Sequence, residues 1–87
     1  MADIAETRQR IKEMIVERLF LDVSPEEIGD EDSLPEQYNV DSVNLFEIVV
    51  GLEEVFGVSL EDEELSVEAF STVNKIAEVV QRKLEGQ

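Results

Sequence analysis

Ser42 is the residue of this 87-residue chain best placed to do chemistry. It stands in Asn39-Val40-Asp41-Ser42-Val43, where a long loop gives way to helical periodicity. A serine there is held on a rigid end with its hydroxyl toward solvent. Free backbone N–H groups and the positive end of the helix dipole favour a phosphate attached to it, although the surrounding acids oppose one. Asp41 beside it can cap the helix or hold a metal ion that an incoming enzyme uses. Ser42 cannot act alone as a nucleophile, because the chain has no His and no Cys, and no neighbouring Lys can take its proton. The same absences exclude disulfides, Cys/His zinc sites and haem ligation by His. Taken as a dipeptide alone, Asp-Ser at a helix start is most often simple N-capping.

The other chemistry-bearing groups are carboxylates. Asp30-Glu31-Asp32 opens like a calcium loop, but Pro35 stands where the sixth position needs Gly, and Asp41 where the twelfth needs Glu. No dedicated metal site is expected; Glu61-Asp62-Glu63-Glu64 can bind divalent ions weakly as charge relief. The 22 acids outnumber the 7 bases for a net charge of -15. Between Leu19 and Asn74 there is no Lys or Arg, yet 16 acids fall there. Such a block repels nucleic acid and anionic membrane surfaces and attracts basic protein surfaces or cations. A solvated acidic face kept for solubility is the plain alternative.

Helices must position these groups. Ile4, Ile11, Ile15 and Leu19, flanked by Met14, recur at helical spacing and predict a helix from about residue 3 to 20 with Asp3 as cap. Arg8 and Arg18 lie beside that stripe, their stems on the core edge and their heads in water. Residues 21–40 contain both prolines and read as a long loop, with one turn at Ser24-Pro25-Glu26-Glu27 and with Val23, Ile28, Leu34 and Tyr38 pinning it to the core. The second main helix starts at Asp41 or Ser42 and ends before Gly57. At about 100° per residue its Leu45, Ile48, Val49, Leu52, Val55 and Phe56 form the core face. Val43, Val50 and, at the margin, Phe46 point the other way among Glu47, Glu53 and Glu54: an apolar strip framed by carboxylates, suited to docking. A short helix is expected over Ser66 to Phe70, with Leu65 and Phe70 turned inward. Ser71 or Thr72 then caps a last helix with Val73, Ile76, Ala77, Val80 and Leu84 as its stripe. The expected fold is all-α: one domain over residues 1–87, a small up-and-down bundle of three main helices plus one short helix, with a long first loop.

The 17 residues from Asp41 to Gly57, with Ser42, Glu47, Glu53-Glu54 and Phe56-Gly57 at their spacings, resemble the second helix of the acyl carrier protein family. The likeness extends more weakly over the whole chain. It implies that Ser42 is the attachment point for 4′-phosphopantetheine, transferred from coenzyme A by a separate, magnesium-dependent phosphopantetheinyl transferase. Acyl groups would ride on that arm as thioesters, making the chain a carrier and not an enzyme, in fatty-acid or related polyketide or specialised-lipid biosynthesis. Synthases with basic docking surfaces would read Glu47, Glu53 and Glu54, with Val43, Phe46 and Val50 as apolar contacts. In this family the acyl chain can also slip between the helices, which suits an aliphatic core. The family usually has Gly where Asn39 stands, and Asn is the side chain that best tolerates a left-handed backbone. Val43 replaces the usual Leu, and Asn44 a frequent acid. Gly51, mid-helix, costs about 1 kcal/mol relative to Ala.

The rival reading is an unmodified acidic helical interaction module using the same face. Apolar runs of four residues or fewer and a start without a signal-peptide core point to a cytoplasmic chain with no membrane span; the acidic block repels nucleic acid, and a monomer is expected.

Overall fold

The computed structural model describes residues 3–61 and 65–86. Among them the regular elements are α1 (Ile4–Arg18), a 3₁₀ turn (Pro25–Glu27), α2 (Leu34–Tyr38), α3 (Ser42–Phe56) and α4 (Val73–Glu85), with no strand. α1, α3 and α4 each start where a side chain accepts from a first-turn amide that has no intrahelical partner. Asp3 accepts from the Ala5 amide at 3.0 Å, and Thr72 from the Lys75 amide at 3.1 Å. Glu27 accepts from both the amide and the hydroxyl of Ser24, closing the expected single turn.

The core is aliphatic. Ile11 and Ile15 of α1, Ile48 and Leu52 of α3, and Val73, Ile76, Ala77 and Val80 of α4 are fully buried, joined by Ile28, Leu34 and Phe70 from the connections. Each such side chain contributes about 1.5–3 kcal/mol of burial, less for Ala. α1 packs against both α3 and α4. It runs antiparallel to α3, since Arg10 lies over the Phe56 ring and Met14 meets Gly51. Thr7, a polar residue the apolar stripe omits, is also buried, and its hydroxyl donates to Gln81 of α4 at 3.0 Å.

The long first loop is tied down at several points. The Leu34 amide donates to Ser71 O at 2.7 Å, and the Asn74 amide to Asp30 O at 3.0 Å. Asp30 is the hub: Lys12 Nζ stands 2.7 Å and Arg8 Nε 3.4 Å from its carboxylate. The Lys12 ammonium against it, with the charge of Arg8, holds the Asp30 carboxyl below its ordinary value against some desolvation. Val23 and Tyr38 pack half-buried against the core beside Ile28 and Leu34, pinning the loop as expected of them.

The structure departs from the sequence expectations in three places. The short helix lies in the first loop, at Leu34–Tyr38, and residues 67–70 form turns. There Ser66 Oγ accepts from the Ala69 amide and Ser71 Oγ donates to Glu68 O, side-chain bonds that compete with helix formation; Phe70 is nevertheless buried and Leu65 packs against the core. α1 ends at Arg18, not near 20: Phe20 is left-handed with φ 53°, and the Leu21 amide closes back on Val16 O at 3.1 Å. Ile4 and Val55 are exposed; around Val55 the α1 side chains include the long polar Arg10 and Glu13, which leave it open. The heads of Arg8 and Arg18 stay partly in water as expected and there also pair with Asp30 and Glu54. Most of the Glu61–Glu64 acid run, residues 62–64, lies outside the described residues.

Candidate functional site

The approach to Ser42 is a hinge of three residues. Asn39 closes α2 in the left-handed region, φ 55° and ψ 39°, with its amide returned to Leu34 O. An Asn side chain tolerates that backbone, so the turn survives without Gly. Val40 is buried and anchors the chain. Asp41 is the cap: its Oδ1 accepts from the Asn44 amide at 2.9 Å, while Asn44 Oδ1 accepts from the Asp41 amide at 3.2 Å. Asn44 thus completes a reciprocal capping box.

Ser42 is the first residue of α3 and is exposed. Among the described residues no hydrogen bond engages its hydroxyl. The capping box uses the amides of Asp41 and Asn44, so the Ser42 and Val43 amides have no partner within the helix. An open hydroxyl with two first-turn amides at the positive end of a 15-residue helix suits a covalently attached phosphodiester. With no His in the chain, the arrangement holds a group and does not activate one.

α3 divides its side chains cleanly. Leu45, Ile48, Val49 and Leu52 are buried, while Val43, Phe46 and Val50 are 69%, 64% and 44% exposed along one outer strip. The three framing carboxylates are not equivalent. Glu47 is exposed, and among the described residues it makes no hydrogen bond or ion pair. Glu53 is half-buried, its Oε2 accepting from the Leu60 amide at 2.9 Å after the left-handed Gly57 (φ 66°) turns the chain back. Glu54 is held by Arg18, whose Nη2 lies 2.7 and 2.6 Å from its two oxygens. That bond raises the Arg18 pKa above its ordinary range, opposed by desolvation, with the charges of Glu54, Glu47 and Glu17 adding attraction. Neither partner could be found in the local pattern, because Arg18 is 36 positions from Glu54 and Leu60 lies beyond the helix end. Phe20, 91% exposed beside Arg18 in the chain, was equally invisible to periodicity.

The Asp30–Asp32 acids serve the fold. Asp30 faces Lys12 and Arg8, Glu31 accepts from the Asn74 side chain at 2.8 Å, and Asp32 accepts from the Gly29 amide at 2.8 Å. Among the described residues no three acids gather as a metal site, and no helix is long and apolar enough to cross a membrane.

Comparison with known proteins gives this geometry its context. The family described as "Phosphopantetheine attachment site" matches residues 9–80. The chain is similar to the acyl carrier protein of Wolinella succinogenes, 37% identical over 71 residues, covering 82% of this chain and 88% of the relative. It is 32% identical over 80 residues to the acyl carrier protein of Thermosynechococcus vestitus, covering 92% and 94%. It is 37% identical over 78 residues to that of Rubrobacter xylanophilus, covering 90% and 91%. The chain belongs to the acyl carrier protein family, carriers and not catalysts, with a covalent 4′-phosphopantetheine as cofactor.

Proposed function

We propose that Ser42 Oγ carries the 4′-phosphopantetheine arm, delivered from coenzyme A by a separate phosphopantetheinyl transferase. When attached, the arm supplies the thiol that the polypeptide lacks and holds acyl groups as thioesters. The single observation that supports Ser42 most is its exposed, unengaged hydroxyl on the first turn of a capped helix. The chain's own residues have separable tasks there. Asn39 turns the backbone, Val40 anchors it, and Asp41 with Asn44 keeps the first turn from fraying. The Ser42 and Val43 amides face the place where phosphate charge would sit.

Recognition in this reading falls to the outer strip of α3. Val43, Phe46 and Val50 offer apolar contact, and the field of Glu47, Glu53 and Glu54 around them draws the basic docking surfaces of the transferase and of acyl-transferring synthases; among the described residues, Glu47 alone of the three is unengaged by the fold. The pathway proposed is fatty-acid synthesis or a related polyketide or specialised-lipid route in the cytoplasm, with the chain acting as a monomer.

Mass spectrometry tests the assignment. Incubation with coenzyme A, magnesium and a permissive transferase is expected to add one phosphopantetheinyl unit to the parent and none to Ser42→Ala, whose helix content stays unchanged. A parent that remains bare, or a Ser42→Ala protein that still gains the mass, overturns it and leaves the unmodified interaction module.

A further inference from the structure

Three carboxylates frame the outer strip of α3, and the fold has already used two of them. Glu53 holds the Leu60 amide, and Glu54 is clasped through both oxygens by Arg18. The route Arg18 takes is specific. It is the last residue of α1 and crosses α3 at Gly51, where its Nε lies 3.2 Å from the position a Cβ would take. The bare backbone at residue 51 opens that lane. Arg18 thereby sets a cation beside an otherwise anionic strip, drawn by Glu54 first and by Glu47 and Glu17 more weakly.

We propose that Arg18 is a specificity-determining residue of the docking face: by occupying Glu54 it concentrates the anionic signal of α3 on Glu47, so the fitting partner aligns its cation with Glu47 and not with Glu54. The inference rests on the docking role given to α3 above. A partner cation competing for Glu54 must first displace Arg18. It then meets the displaced guanidinium at close range. Arg18 and Glu54 are 30% and 53% exposed, so the pair is of the modest surface kind, and displacing it costs a competitor about two- to five-fold in affinity. Partners built to grip a uniformly acidic helix are thereby disfavoured, a discrimination made by an internal competitor for one carboxylate.

The test uses the full chain and a fluorescent amphipathic helical peptide with Leu on one face and Lys on the other. Its affinity is measured for the parent, Glu47→Gln, Glu54→Gln, Arg18→Gln and the Arg18→Gln/Glu54→Gln double variant. Arg82→Gln on α4 serves as a control that removes the same charge far from the strip. Glu47→Gln is expected to weaken binding at least five-fold, and Glu54→Gln less than two-fold. Arg18→Gln should tighten binding about two- to five-fold beyond Arg82→Gln, and the gain should vanish in the double variant. The proposal is overturned if Glu54→Gln costs as much as Glu47→Gln, if Arg18→Gln gains no more than the control, or if the peptide is indifferent to Glu47. Loading of Ser42 is scored separately by mass, so a chain that takes no arm counts against the carrier assignment alone.

Discussion

Phe20 and Asn39 share one backbone state, φ 53° and 55°, and they got there by different means. At Asn39 the side chain suits the conformation, which is why the turn that the family resemblance implies before the serine survives without Gly. At Phe20 nothing local suits it: an aromatic β-carbon is forced into the region Gly favours, and the ring gains no burial, being 91% exposed. The left-handed strain is about 1–2 kcal/mol, and the extra chain entropy of Gly about 0.5–1 kcal/mol. Phe20→Gly is therefore expected to raise stability by about 0.5 kcal/mol net, seen as a higher urea midpoint at unchanged slope. A lower midpoint would mean that the ring makes stabilising contacts after all. The same contrast explains what was hidden at the site. Ser42, Asp41 and Gly57 declare themselves by position, whereas the engagement of Glu53 and Glu54 depends on atoms supplied by Leu60 and Arg18 once the chain has folded.

At the scale of the helices, Gly51 is a position where α1 lies close against α3. A Cβ there would stand 2.5 Å from Met14 Sδ and 2.9 Å from Met14 Cγ. In an isolated helix Gly51→Ala would gain about 1 kcal/mol. Here the overpacking, about 1–3 kcal/mol, outweighs that gain, so a net loss near 1 kcal/mol is expected by chemical denaturation. In a Met14→Ala background the sign should reverse, and failure to reverse would place the obstruction elsewhere. The helical periodicities of α1, α3 and α4 were plain from the chain because their stripes are long and their caps local. The short helix was misplaced because its evidence, Leu34-Pro35 followed by a left-handed Asn39, is spread across a loop whose packing onto Ser71 and Asn74 is long-range. Val55 was misjudged for a similar reason: periodicity gives its angle around α3, while its exposure depends on which α1 side chains stand opposite.

For the molecule as a whole, Asp30 joins the first loop to α1 through Lys12 and Arg8 and to the start of α4 through its carbonyl. Its carboxyl is held below the ordinary 3.8, so its contribution is complete above that value and is lost as the pH falls through the lower native one. Protonation elsewhere acts in the opposite sense by relieving repulsion among the acids, so the informative quantity is a difference. The stability of the parent minus that of Asp30→Asn should be positive and constant from neutral pH down to about 4, then shrink toward zero below it, followed by urea midpoints across pH. A difference that does not change with pH would show that the carboxylate's charge is not what ties the loop.

Three of the four cations of α1, namely Arg8, Lys12 and Arg18, are matched to acids of the same chain, and Arg10 lies over the Phe56 ring. The positive charge of the first helix is thus largely consumed in stitching the bundle together, while Glu47 and its exposed neighbours project outward. Two copies meeting at random in a crowded solution present mostly like-signed surfaces to each other, and at low ionic strength they push apart before their apolar strips can touch. Under the docking role proposed for α3, the charge that draws a cationic partner also works against the pairing of two copies.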